Sequence, residues 1–113
     1  MPTLFERIMA REIPATIVRE DEWTVAFRDI QPQAPFHVLV VPRRPIARLQ
    51  DAGPEQAELL GRMLLAARKV ASEAGFGESG FRCTLNDGPD AGQVVPHLHL
   101  HVLAGRAFGW PPG

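Results

Sequence analysis

The segment from His97 to Leu103 constrains the fold more than any other part of the chain, because its polar and apolar residues alternate strictly. It reads His-Leu-His-Leu-His-Val-Leu, and alternation with a period of two is typical of a strand with one buried face. Successive side chains of a strand point to opposite faces, so His97, His99 and His101 are expected to share one face. Their imidazoles are then offset by about 6.6–6.8 Å along the backbone, wide enough to line a phosphate group.

A polar loop containing Gly88 and Gly92 leads into this strand. Glycine lets a backbone turn sharply and brings N–H groups close to an anion. Three functions remain open for the row of histidines: a polar strand face, a zinc site built on a His-x-His pair, or phosphoryl chemistry with one imidazole as the nucleophile. The glycine loop favours phosphoryl chemistry.

Length and composition predict one domain, residues 1–113, with a single core. The net charge of −1 does not predict nucleic-acid binding. No stretch approaches the roughly 20 apolar residues of a membrane helix, so a membrane partner is not expected either. The first ten residues do not resemble a signal peptide. The single Cys83 cannot form an intrachain disulfide, which fits a reducing cytoplasm.

The predicted elements follow the order αβββαββ, with connections of the hairpin type. Their pattern predicts strands over 16–19, 23–28, 37–41, 81–86 and the histidine segment. We therefore expect an α+β fold in which helices pack on a five-stranded antiparallel sheet. Residues 105–113 are rich in proline and glycine, and we expect an extended C-terminal tail that is neither helix nor interior strand.

One short N-terminal helix and one long helix complete the predicted fold. The short helix spans 3–10, and Thr3 with Glu6 predicts a capping box at its start. Pro54 suits the first turn of the long helix, and Gly75 suits its end. Between them, leucine, methionine, valine and alanine recur with helical spacing, so this helix is expected to be scaffold.

The chain resembles a known family at several separate points. His97 to Leu103 matches the histidine triad motif, His-φ-His-φ-His-φ-φ with φ apolar, at every position. The wider chain, from about residue 3 to 113, is similar to the Hint-like branch of that family. The further segments that carry the resemblance are Phe27–Ile30, His37–Pro42, Asn86, Gly92–Gln93 and Trp110–Gly113.

The resemblance implies a homodimer with the HIT-like fold. It also implies hydrolysis of purine nucleoside 5′-phosphoramidates or acyl-adenylates through a nucleotidyl-histidine, with no cofactor and no metal ion. His99 would be the nucleophile, and His97, His101 and His37 would complete the catalytic group. The tautomer of the nucleophile is expected to be held by the backbone carbonyl of His97, or by the side chain of His97 through His37.

Substrate-binding positions are carried over from the same resemblance. Asp29 would accept hydrogen bonds from ribose hydroxyls, and Trp110 would reach the substrate of the partner subunit. The other expected substrate-binding residues are Phe5, Ile8, Phe27, Ile30, Leu39, Asn86, Gly92, Gln93 and Val94. Plain core packing remains open for Phe5 and Phe27, and a role in a turn remains open for Asp29 and Asn86.

The chain departs from the family pattern at two places. Val94 stands where many Hint-like proteins have serine or threonine, which puts activation of the leaving group in doubt. Thr3, Glu6 and Pro45 stand where some relatives carry a cysteine pair and a histidine that help bind zinc, so no structural zinc is expected. The alternatives are a dinucleoside polyphosphate hydrolase, a nucleotide-binding regulatory protein with incidental catalysis, and a small metalloprotein.

Overall fold

The computed structural model describes residues 2–113. Its helices are α1 (Leu4–Met9) and α2 (Ala57–Glu73). Its strands are β1 (Ile17–Glu20), β2 (Thr24–Arg28), β3 (Phe36–Pro42), β4 (Arg82–Thr84) and β5 (Leu100–Ala104). This order confirms the predicted αβββαββ. Within residues 2–113, no helix combines the length and the apolar character that crossing a membrane requires.

The five strands form one antiparallel sheet in the order β1-β2-β3-β5-β4. This confirms the predicted α+β fold. The register places Phe27, Leu39 and His101 in one row across β2, β3 and β5. Because residues directly opposite each other share a face, this row lies on one side of the sheet.

The two faces of the sheet are covered by different helices. On one face, alternate residues of β3 and β5 pack against the buried stripe of α2, which recurs every three or four residues. This core contains Val38, Val40, Leu98, Leu100 and Val102 from the sheet side and Leu59, Met63, Ala67 and Val70 from α2. On the other face, Phe5 and Ile8 of α1 pack on Val25, Phe27, Leu39 and Val41.

Helix α1 begins with the capping box that the sequence predicts. The hydroxyl Oγ1 of Thr3 accepts a hydrogen bond from the Glu6 N–H at 3.1 Å. The Thr3 N–H in turn donates to Glu6 Oε1 at 2.9 Å. Two backbone donors at the helix start are thereby satisfied, which is what allows so short a helix to form on the sheet.

The histidine strand begins later than its alternation predicts. Its ladder starts at Leu100, because Pro96 has no N–H and the next two N–H groups bond elsewhere. The His97 N–H donates to the Val95 carbonyl at 2.8 Å, and the Leu98 N–H donates to the Ile46 carbonyl at 2.6 Å. The alternation of faces nevertheless continues upstream of the ladder, since Leu98 packs against α2.

The other boundaries differ by a few residues. Strand β4 is only three residues long, so residues 85–86 have already left the sheet when the loop with Asn86 begins. The predicted start of the long helix at Pro54 is a single 3-10 turn, and α2 begins at Ala57.

The C-terminal tail, residues 105–113, lies beside β4 and contains no helix or strand. The centre of the Phe108 ring lies 5.2 Å from the guanidinium carbon of Arg82 and 4.2 Å from that of Arg106. Arg82 also donates to the Gly109 carbonyl at 3.0 Å. The two contacts of the Arg82 side chain attach the tail to β4.

Gly105 and Gly61 offer a matched pair for a stability test. Gly105 has φ of +94°, and a Cβ there would lie 2.8 Å from Pro35 Cβ, whereas nothing lies within 4 Å of a Cβ at Gly61 in α2. We expect Gly105→Ala to destabilise the protein by about 1–3 kcal/mol. We expect Gly61→Ala to stabilise it by about 0.5–1 kcal/mol. Urea unfolding of both variants checks this, and equal midpoints would contradict it.

Candidate active site

A cavity of about 460 Å³ opens between α1, the end of β2 and the loop that precedes β5. Its apolar side contains the predicted residues Phe5, Ile8, Phe27, Ile30 and Leu39. Its polar side contains the predicted residues Asp29, Asn86, Gly92, His99 and His101, together with Val94. The structure therefore gathers most of the residues singled out from the sequence around one space large enough for a nucleotide.

His99 presents one free ring nitrogen on the cavity side. Its Nδ1 lies 2.7 Å from the His97 carbonyl oxygen. A carbonyl can only accept, so Nδ1 carries the proton and the lone pair is on Nε2. Nε2 has no hydrogen-bond partner among residues 2–113. The edge-to-face contact with Phe5, 5.0 Å between ring centres, further fixes the orientation of the imidazole.

His37 and His101 form a second hydrogen-bonded pair. The Gln33 N–H donates to His37 Nδ1 at 3.0 Å, so the neutral ring of His37 carries its proton on Nε2. That proton is donated to His101 Nδ1 at 2.9 Å. His101 is therefore left with an N–H at Nε2, a hydrogen-bond donor on a residue that lines the cavity. Thus His37 orients His101, whereas the tautomer of His99 is set by the His97 carbonyl.

His97 lies behind the cavity and is completely buried. Its Nε2 donates to the Pro42 carbonyl at 3.0 Å. Its Nδ1 lies 2.9 Å from the hydroxyl of Thr3. Both ring nitrogens are thus occupied by protein groups, and the contribution of His97 to the cavity is its carbonyl oxygen on His99.

Burial keeps three of the imidazoles uncharged. It lowers the pKa of His99, and this effect outweighs the hydrogen bond to the His97 carbonyl, which acts in the opposite direction. Burial and repulsion from His99 and His37 lower the pKa of His101 to about 4. Burial also lowers the pKa of His37, and the opposing effect of Asp29 is smaller. At neutral pH the cavity therefore offers neutral imidazoles, and a neutral imidazole can act as a nucleophile without losing a proton.

Asp29 serves a turn and faces the site at the same time. Its Oδ1 accepts the Gln31 N–H at 2.8 Å, the bond of an Asx turn. Its Oδ2 lies 3.5 Å from His37 Nε2. The carboxylate is thereby fixed at the rim of the cavity, with lone pairs left for further donors.

Two of the predicted substrate-binding residues lie outside the cavity. The side chain of Gln93 fastens the glycine loop: its Oε1 accepts the Gly88 N–H at 2.9 Å, and its Nε2 donates to the Ala47 carbonyl at 2.7 Å. Trp110 is 84% exposed and does not line the cavity of its own chain.

The sequence reasoning missed several members of the site. Gln33 and Pro42 act through the backbone, so their side chains give no signal. Thr3 is predicted as a helix cap and stands at a zinc-ligand position of some relatives, but neither observation predicts its bond to His97, which is distant in the chain. The segment 13–15, which lines the apolar side of the cavity, carries only the weak signal of its own apolar residues.

Three groups beside the cavity lie close enough together to be considered as metal ligands. These are Asp29, His37 and His101, whose ligand atoms lie within 4.8 Å of one another. Binding through His37 Nε2 would require that nitrogen to lose its proton, because Nδ1 already accepts the Gln33 N–H. The hydrogen bond from the Gln33 N–H therefore opposes metal binding through His37.

Comparison with known proteins identifies the family. Residues 10–108 match the HIT domain. The chain is 46% identical over 114 residues to an adenylylsulfatase, HINT1, of Arabidopsis thaliana, covering 99% of this chain and 77% of the relative. It is equally similar to a 14 kDa zinc-binding protein of Zea mays, covering 99% and 88%. The crystal structure of a HIT family hydrolase from Legionella pneumophila Philadelphia 1 superposes with a TM-score of 0.96 at 46% identity, covering 99% and 100%. The chain therefore belongs to the HIT family, and its Hint-like and hydrolase homologues support a hydrolase.

Proposed function

We propose that this protein hydrolyses purine nucleoside 5′-phosphoramidates or acyl-adenylates through a nucleotidyl intermediate on His99. The observation that carries the proposal is the 2.7 Å bond from His99 Nδ1 to the His97 carbonyl, which leaves the Nε2 lone pair free on the cavity side. The adenylylsulfatase among the relatives supports chemistry on an adenylyl conjugate.

The two sides of the cavity suit the two ends of a nucleotide. The apolar side, with Phe5, Ile8 and Phe27, takes the base by packing rather than by hydrogen bonds. Asp29 accepts the ribose hydroxyls. The phosphate then lies against the His101 Nε2–H, the Asn86 amide and the N–H groups of residues 92–94, which stabilise the charge that develops on its oxygens.

The reaction proceeds in two displacements at phosphorus. His99 Nε2 forms a bond to the α-phosphorus as the P–N bond of a phosphoramidate or the P–O bond of an acyl-adenylate breaks. The amine leaves with a proton from solvent, and the carboxylate leaves as the anion. Water then attacks the nucleotidyl-His99, and the imidazole leaves in its original tautomer. Overall, the hydroxyl of one water joins phosphorus, and its proton joins the amine of a phosphoramidate or passes to solvent when a carboxylate leaves.

Val94 lies on the side of the cavity where we expect the leaving group to depart. Its side chain is 88% exposed and lines the cavity. A valine has no proton to give, so only its backbone N–H can assist a departing amine. Acyl conjugates, whose carboxylate leaves without a proton, are therefore included in the proposed substrate class.

The first prediction concerns turnover of adenosine 5′-phosphoramidate. We expect the wild type to release AMP with or without a chelator, and His99→Ala to lose at least about 10³-fold in kcat, because no other group can form the intermediate. Release of AMP is measured by chromatography, and the thermal unfolding of both proteins controls for folding.

Other results of this experiment would favour the alternatives. Activity lost on chelation would favour a metalloprotein. Nucleotide binding without turnover would favour a regulatory protein, and faster cleavage of a dinucleoside polyphosphate would favour the other hydrolase class. Unchanged activity in His99→Ala would exclude His99 as the nucleophile.

The second prediction concerns the pH dependence of kcat/KM. Because burial lowers the pKa values of His99 and His101, we expect kcat/KM to stay level as the pH falls from 8 to 6.5. It should decrease only below that range, as the lowered pKa of the free enzyme is approached. A half-maximal rate near pH 6.5, the value of an exposed imidazole, would contradict this prediction.

The free energy of unfolding is also expected to depend on pH and to decrease as the pH falls. His37, His99 and His101 are neutral in the folded protein but take up protons in the unfolded chain below about pH 6.5. The unfolded state thus binds more protons, and stability should decrease from pH 6.5 toward 4, the pKa of folded His101. Urea unfolding across that range measures the decrease.

We further propose that the protein acts as a homodimer. Leu64 and Leu65 on α2 are 57% and 58% exposed, and β4 leaves one edge of the sheet unpaired. An exposed edge and exposed leucines are surfaces that a second copy would cover. Trp110 does not line the cavity of its own chain, and in the dimer it would contact the substrate of the partner subunit.

Light scattering with size-exclusion chromatography tests the dimer. We expect twice the chain mass for the wild type and a monomer for Leu64→Glu/Leu65→Glu, because the charges would have to be buried. In the dimer, Trp110→Ala should alter the discrimination between phosphoramidates with different amines. A monomeric wild type would contradict the proposal.

A further inference from the structure

We infer that Thr3 is a positioning residue for the nucleophile, acting through the ring of His97. The inference rests on the proposed role of His99. Thr3 does not line the cavity, and its hydroxyl lies 2.9 Å from His97 Nδ1. Its position in the chain, 94 residues before His97, gives no indication of this contact.

The direction of the Thr3 hydrogen bond follows from its neighbours. The Thr3 hydroxyl oxygen already accepts the Glu6 N–H at 3.1 Å. His97 Nε2 faces the Pro42 carbonyl at 3.0 Å, and a carbonyl can only accept, so the neutral ring carries its proton on Nε2. Nδ1 is therefore an acceptor, and the remaining hydrogen of the Thr3 hydroxyl is donated to it.

The hydrogen bonds of the His97 ring hold the backbone at residues 97–98 in place, because these residues lie outside the sheet ladder. The β5 ladder begins at Leu100, three residues after His97. The backbone N–H groups of His97 and Leu98 bond to loop carbonyls instead. Hydrogen bonds at both ring nitrogens of the completely buried His97 therefore anchor the peptide whose carbonyl holds His99 Nδ1 at 2.7 Å. Thr3 supplies one of those two anchors.

The same hydroxyl also fixes the helix that covers the nucleophile. Thr3 caps α1, and α1 carries Phe5, whose ring lies 5.8 Å from that of His97 and 5.0 Å from that of His99. The Thr3 hydroxyl thus contacts both the helix on the apolar side of the cavity and the histidine whose carbonyl sets the tautomer of His99. Without the hydroxyl, His97 Nδ1 becomes a buried acceptor without a donor. The backbone around His97 then loses one of the two anchors that hold its carbonyl against His99.

Two substitutions at position 3 separate the hydroxyl from the shape of the side chain. Thr3→Val keeps the shape and loses the hydroxyl, and we expect kcat to decrease about 10–100-fold, because the nucleophile is misplaced. Thr3→Ser restores the hydroxyl, and we expect kcat within about threefold of wild type.

A third variant controls for the loss of the helix cap. Glu6→Ala removes the bond from the Thr3 N–H to Glu6 Oε1 but leaves the hydroxyl on His97. We expect it to lower the stability of α1 and raise KM while leaving kcat within about threefold of wild type. An equal loss of kcat in Glu6→Ala and Thr3→Val would show that only the helix matters and would overturn the inference.

Nitrogen-15 NMR of the histidine rings provides a readout that a purely structural role would not change. In the wild type we expect His97 with its proton on Nε2 and His99 with its proton on Nδ1. Thr3→Val should mix the tautomers of His99, and Glu6→Ala should not. A wild-type His97 with its proton on Nδ1, or a His99 tautomer unaffected by Thr3→Val, would overturn the inference.

The NMR measurement also separates the two proposals. If the wild type fails to hydrolyse any nucleotide conjugate, the proposed function is wrong, whereas the tautomers of His97 and His99 still decide the role of Thr3. If hydrolysis is found and Thr3→Val retains the wild-type kcat, the inference about Thr3 is wrong and the proposed function stands.

Discussion

The antiparallel pairing of β3 with β5 is the interaction on which the rest of the structure depends. It places Leu39 opposite His101, and it brings His37 diagonally within hydrogen-bond distance of His101. The same pairing directs Val38, Val40 and Val102 toward α2. Because side chains alternate along both strands, one register decides the core and the site together. A shift by one residue would bury the histidines under α2 and turn the core residues toward the cavity.

Buried imidazoles need hydrogen-bond partners, and the chain supplies them mostly from its backbone. The carbonyls of Pro42 and His97 accept hydrogen bonds from the rings of His97 and His99, and the Gln33 N–H donates to His37. A backbone group has a fixed hydrogen-bonding role, so each contact decides which ring nitrogen carries the proton. Burial disfavours the charged form and keeps the assigned tautomers in place.

The two walls of the cavity differ in how they are held. The sheet side is fixed by the ladders of β2, β3 and β5, whereas the opposite side is the short helix α1 and the segment that follows it. Ile30 and Val94 line the cavity with almost fully exposed side chains, 87% and 88%. These two side chains therefore contribute little buried area to the core, and they leave apolar surface at the rim of the cavity.

Local pattern was enough to predict most of the fold. The alternation through His101 fixed a strand, the capping pair Thr3 and Glu6 fixed the start of α1, and the periodic apolar residues fixed α2. Boundaries were less predictable. The delayed start of β5 depends on which acceptors lie near the His97 and Leu98 N–H groups, and those acceptors, such as the Ile46 carbonyl, come from a distant part of the chain.

The sequence by itself determined the residue types of the site and the face on which they lie, because both follow from spacing along one strand. The tertiary structure alone decided the hydrogen-bond partner of each ring. His37 bonds to His101 rather than to His99, and Thr3 bonds to His97 across 94 positions of sequence. These pairings follow from the register between strands and from how α1 packs on the sheet. Neither is encoded in any local pattern, because both are set by contacts between distant segments.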